Sequence, residues 1–193
     1  MTNYGVYPPN SGREVRAQLK VLIADITLTN TGSFEMIPIP AGYDHLEIVA
    51  VVRGTVAATS DSFWLLLNGD TTAANYSVQS TVGTGATNST ARSDTPTIFS
   101  APAASSTADD YGSCIGQLTD IVLPGKRRSG IFMSSERRDA TTQLTRQIAY
   151  NWESTEPVTN ITIRTDNHPT DLATAGSRVQ VFGIGTFSVA LAR

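Results

Sequence analysis

Apolar and polar side chains alternate with a period of two along most of this chain, the rhythm of a pleated strand with one buried face. The clearest stretch covers residues 43–70. Leu46, Ile48, Ala50 and Val52 alternate there with Glu47, Val49, Val51 and Arg53. After a connection of small residues, Phe63, Leu65 and Leu67 alternate with Trp64, Leu66 and Asn68. Asn68-Gly69-Asp70 closes the run with residues that accept positive φ and make tight turns. Both faces of the two strands are largely apolar, so each is expected at the interior of a sheet.

The same rhythm recurs on either side. Leu22, Ala24, Ile26 and Leu28 share one face within 19–29, and 34–39 reads as a short strand. Pro38 and Pro40 place that strand at an edge or make its end a poor ladder partner. Further strands are expected over 75–82, 111–123, 131–134, 144–152, 161–163 and 177–188. Residues 83–110, rich in Gly, Thr, Ser, Ala and Pro, read as a long loop with a short strand at Thr97-Ile98-Phe99. No segment carries a helical period of convincing length. Short strands separated by turn signals predict an all-β, antiparallel β-sandwich, and the length favours a jelly roll. Residues 1–18 lack periodicity and contain Pro8-Pro9, so they read as an extended N-terminal arm on a single domain spanning 19–193. Two readings of that arm stay open: a frayed terminus, or a strap on a neighbouring subunit anchored by Tyr4 and Tyr7.

Composition narrows the function classes. Only 16% of residues are charged, which favours a chain with protein neighbours over a free enzyme. The net charge of −3 argues against a nucleic-acid partner, which requires a basic footprint. No run approaches the roughly 20 apolar residues of a membrane span. Cys114 is the single cysteine and reads as a buried thiol.

Candidate chemistry adds little. His45 and His168 have no His or Cys at metal-ligand spacing. Asp109-Asp110 and the set Asp166, Asn167 and Asp171 read as solvated turns rather than a calcium loop. Gly83-Thr84-Gly85 and Gly183-Ile184-Gly185 precede no helix that would present amides to a phosphate. No serine sits in a Gly-x-Ser-x-Gly elbow. The expectation is therefore no catalytic residue, no metal and no cofactor. Lys126-Arg127-Arg128 and Arg137-Arg138 are the basic clusters. Each reads as a solvated hairpin tip or as a docking point for an acidic protein surface.

One resemblance gives these features a context. The run from Ile39-Pro40 through Tyr43-Asp44-His45-Leu46-Glu47-Ile48, then Val52-Arg53, Asp61, Leu67-Asn68-Gly69-Asp70 and Asn75-Tyr76, resembles a group of tailed-bacteriophage virion proteins. So do a late segment, 152–163, that opens with Trp152, and the closing Gly176-Ser177-Arg178 to Gly183-Ile184. Leu67 stands where that group commonly has Phe, and Val181-Phe182 where it has Leu-Tyr. The resemblance implies a jelly-roll structural subunit of a phage particle, a capsid decoration (cement) protein, head fibre or tail appendage. A cement protein of this kind is made in the host cytoplasm and sits on the outer surface of the virion head. Its expected partners are the major capsid protein and copies of itself, as a homotrimer. The contact residues expected on that basis are Tyr4, Tyr7, Pro8, Pro9, Arg13 and Arg16 of the arm, with Lys126, Arg127 and Arg128. The alternative is a receptor- or carbohydrate-binding head of a tail appendage, in which Trp64, Trp152, Tyr76 or Tyr111 would stack on a sugar.

Overall fold

A computed structural model of the chain describes residues 15–85 and 87–189, with side-chain surroundings described from Gln18 to Gly185. Twelve strands run through the described residues: β1 (Val15–Thr27), β2 (Phe34–Pro38), β3 (His45–Val52), β4 (Ser60–Leu67), β5 (Tyr76–Gly83), β6 (Asn88–Ser93), β7 (Thr97–Pro102), β8 (Gly112–Thr119), β9 (Arg128–Arg137), β10 (Gln143–Trp152), β11 (Asn160–Thr165) and β12 (Arg178–Val189). One turn of 3₁₀ helix, Ala73–Asn75, precedes β5. The strands form an antiparallel sandwich. The larger sheet has the order β1-β12-β3-β8-β9-β10-β5-β6, the smaller β2-β11-β4-β7.

The two strands of 43–70 are both interior, as their apolar faces require, but they belong to opposite sheets. β3 lies between β12 and β8, and β4 lies between β11 and β7. β2, with its terminal Pro38, is an edge strand, because proline has no amide hydrogen to give a second neighbour. β1 begins at Val15, inside the segment expected to be an arm. The stretch expected to be a long loop with one short strand holds two: β7 contains the strand expected at Thr97-Ile98-Phe99, and β6 is an addition.

One apolar core fills the space between the sheets. Leu46, Ile48, Phe132, Ile148 and Tyr150 come from the large sheet, and Phe63, Leu65, Phe99, Ile161 and Ile163 from the small one. Phe63 and Phe99 stack with ring centroids 4.9 Å apart, and Phe132 meets Tyr150 edge-on at 5.9 Å. The Tyr150 hydroxyl donates to the Leu65 carbonyl at 2.8 Å, a bond from one sheet to the backbone of the other. Cys114 is buried in this core, and desolvation pushes its thiol pKa well up, so it stays protonated and inert.

Candidate docking surface

The outward positions of the large sheet form the most unusual surface among the described residues. On β8, buried and exposed residues alternate strictly, so Ser113, Ile115, Gln117 and Thr119 point away from the core. Register carries this across the neighbouring strands. Val49, Ile115, Met133, Gln147 and Thr81 form one row across β3, β8, β9, β10 and β5. Glu47, Gln117, Ile131, Ala149 and Gln79 form the next row, and Val51, Ser113, Ser135 and Thr145 a third.

Two properties set this face apart. Val51, Ile115, Ile131 and Met133 are exposed at 43%, 51%, 58% and 58%, and together they make an apolar centre facing solvent. Around them, no outward position of β8, β10 or β5 carries a charge, and β9 carries one only at its last residue, Arg137. Charges appear at the two flanks: Arg92 on β6 extends the row of Gln79, and those on β1, β12 and β3 are held in pairs. Lys20 bonds Glu47 and lies 4.3 Å from the centre of the Phe182 ring, and Arg178 bonds Asp25. The face is furrowed. A cleft of about 560 Å³ runs over Val49, Val51, Ile115, Met133, Gln147 and Thr81, and a second of about 330 Å³ lies beside Ile131 and Ala149.

The expected contact residues fall in three groups. Tyr4, Tyr7, Pro8, Pro9 and Arg13 lie outside the described residues, and Arg16 is within β1 with its side chain undescribed. Lys126 and Arg127 are exposed in the turn before β9, where Arg127 pairs with Glu153 at 2.6 Å. Arg128 is not at a solvated tip: it is fully buried. Its guanidinium donates to the carbonyls of Leu123, Lys126, Thr155 and Glu156 at 2.6–3.2 Å, closing the 123–128 turn onto the 155–156 segment. Five donors in a rigid fork suit that task, and a fully enclosed side chain has no reach toward a partner.

The polar residues of the phage-like run are likewise occupied within the fold. Asn68 Oδ1 accepts the amides of Thr159 and Asn160, while its Nδ2 donates to the Pro157 carbonyl. The Asp70 carboxylate accepts from Trp152 Nε1, Asn75 Nδ2 and the Thr72 amide, and Tyr76 donates its hydroxyl to the Asp70 carbonyl. Partial burial pushes the Asp70 pKa up, but these donors outweigh it and leave the carboxyl below the usual range. Arg53 ties down the 106–110 segment through three carbonyls, and the Ser177 hydroxyl accepts the Arg53 amide. His45 Nδ1 accepts the Asp120 amide at 3.1 Å.

Of the four aromatics that would stack on a sugar, two are enclosed, and Trp64 is half-buried against the core. Trp152 and Tyr76 are core residues, and Tyr111 gives its hydroxyl to the Ala175 carbonyl. Among the described residues, no three or more His, Cys, Asp or Glu side chains are grouped to hold a metal ion. Compared with family models, with curated proteins and with solved structures, the chain matches none.

Proposed function

We propose that this chain is a structural subunit of a bacteriophage particle, a jelly-roll decoration protein that sits on the outside of the head and braces contacts between major capsid subunits. The observation that carries the reading is the uncharged, apolar-centred face of the large sheet, a surface whose chemistry suits contact with protein rather than permanent exposure to water. The phage-like residues support it in a second way. Asp70, Asn75, Tyr76 and Trp152 form one hydrogen-bonded knot and the neighbouring Asn68 bonds the 157–160 segment, so the shared pattern describes a way of building the sandwich. The physical task of such a subunit is to add contact area across joints that internal pressure strains. A rigid sandwich held in an oligomer meets it.

Quantitative mass spectrometry of purified particles from the phage encoding this chain tests the reading. A decoration protein is present at a copy number comparable with the capsid protein, and a tail appendage at a small fraction of it. Absence from the particles overturns the proposal. Deleting residues 1–14, which leaves β1 whole, is expected to weaken attachment to heads at least tenfold without lowering the melting temperature of the domain.

A further inference from the structure

The uncharged face of the large sheet is also specific about what covers it. We infer that its occupant is the same face of a second copy of this chain, with neighbouring copies closing their large sheets around a common axis. This deepens the assembly reading and rests on its oligomeric part, not on attachment to a capsid.

Chemistry favours self-association here. A surface that meets copies of itself sets any charge near the symmetry axis against its own duplicate, and such juxtapositions are costly. The outward positions of β8, β10 and β5 carry no charge at all. What they carry instead is Ser77, Gln79, Thr81, Ser113, Gln117, Thr119, Thr145, Gln147 and Asn151. Hydroxyl and amide groups both donate and accept hydrogen bonds, so each is satisfied by another of its own kind. A charged partner would leave its charge without an opposite one on this face, since the Glu47 carboxylate at its edge is already held by Lys20 and Gln117. On the β1–β12–β3 flank the charges are neutralised inside each copy, Lys20 by Glu47 and Arg178 by Asp25, while Arg92 lies on the far edge strand and Arg137 at the end of β9.

Size and layout agree. Six adjacent strands, β12 to β5, at about 4.8 Å spacing and about 26 Å of strand length give roughly 750 Å². A stable protein contact needs about 800 Å² on each partner. The apolar side chains Val51, Ile115, Ile131 and Met133 sit at its centre and the amides and hydroxyls around them, the usual layout of a buried patch with a polar rim. A sugar ligand is disfavoured on this face, because none of these outward positions is a Trp or Tyr.

Sedimentation of the full chain over a range of concentrations, beside Met133→Glu and Ile131→Lys, tests the inference. The unaltered chain is expected to be a dimer or trimer at micromolar concentration, and each variant to dissociate at least tenfold more readily. Both positions are exposed, so near-ultraviolet circular dichroism and melting temperature are expected to stay unchanged. Should either variant lose its fold, Ile131→Cys supplies an independent readout. Mild oxidation is expected to cross-link it into covalent pairs, while a cysteine at the exposed loop position Thr141 does not cross-link. A monomeric chain at all concentrations, an oligomer indifferent to both substitutions, or an oligomer in which the Ile131 cysteine fails to cross-link each overturns it. An oligomer that is absent from phage particles would remove the capsid role and leave this contact standing.

Discussion

Asp61 puts a carboxyl group on the buried side of β4, 4% exposed, with Oδ2 lacking any hydrogen-bond partner. Burial, followed by the nearby charges of Asp166 and Asp171, pushes its pKa from 3.8 up to about 7, against the opposing pull of the Ser62 and Val56 amides. A folded-state pKa above the unfolded value means the group's contribution is fully present below about pH 4. It is lost as the pH rises through 7. The loss amounts to about 4 kcal/mol at the upper bound, from a shift of roughly three units. Asp166 is raised by burial as well and acts in the same direction. Asp61→Asn is therefore expected to melt above the unaltered chain at pH 8 and close to it at pH 4, with a flatter profile between. Thermal unfolding across that range checks this, and parallel profiles would show that the carboxyl is not the source. Gly54 explains why a side chain fits here at all, since a Cβ on that residue would collide with Asp61.

At the scale of elements, the turn after β4 joins pieces of chain that no local pattern connects. Asn68 holds the 157–160 segment and Asp70 holds Trp152 at the end of β10. Asp70→Ala removes three bonds to a carboxylate, from Trp152, Asn75 and Thr72, and is expected to cost about 2–4 kcal/mol in urea unfolding. Because the Asp70 pKa is lowered in the fold, this support holds above pH 4 and fades as the pH falls through the folded value. The individual strands around the knot were legible from the two-residue rhythm, since Leu46 to Val52 and Phe63 to Leu67 place their apolar groups on the core side. β6 was not, because every residue of Asn88–Ser93 is exposed or half-exposed and an edge strand with no buried face has no apolar rhythm. The docking face was hidden for a different reason. In β9 the inward positions include Gly130, Arg128 and Glu136, while Ile131 and Met133 face outward. Alternation locates two faces but does not say which is wet, so apolar residues on the outer face read as core. The usable signal was the missing charge at alternate positions of 113–119 and 145–151.

For the whole molecule, the proposed assembly uses two kinds of contact, and they respond differently to salt. Association through the uncharged face rests on apolar burial and neutral hydrogen bonds, which screening does not touch. In the proposed capsid role, attachment that draws on the exposed turn at Lys126 and on Arg127, which would exchange Glu153 for a carboxylate of the shell, is a contact between charges. Screening shortens its reach to about 3 Å at 1 M salt. Raising sodium chloride from low ionic strength to that level is thus expected to leave the oligomer's dissociation constant within about threefold while weakening capsid attachment more than tenfold. Ammonium sulfate, which is excluded from protein surfaces, is expected to tighten the oligomer further. Sedimentation read beside a head-binding assay on the same samples separates the two contacts. An oligomer that falls apart in salt would mean that charged groups, not this face, hold the copies together. Attachment that survives would shift the shell contact away from the basic turn, leaving residues 1–14 as the segment to test next.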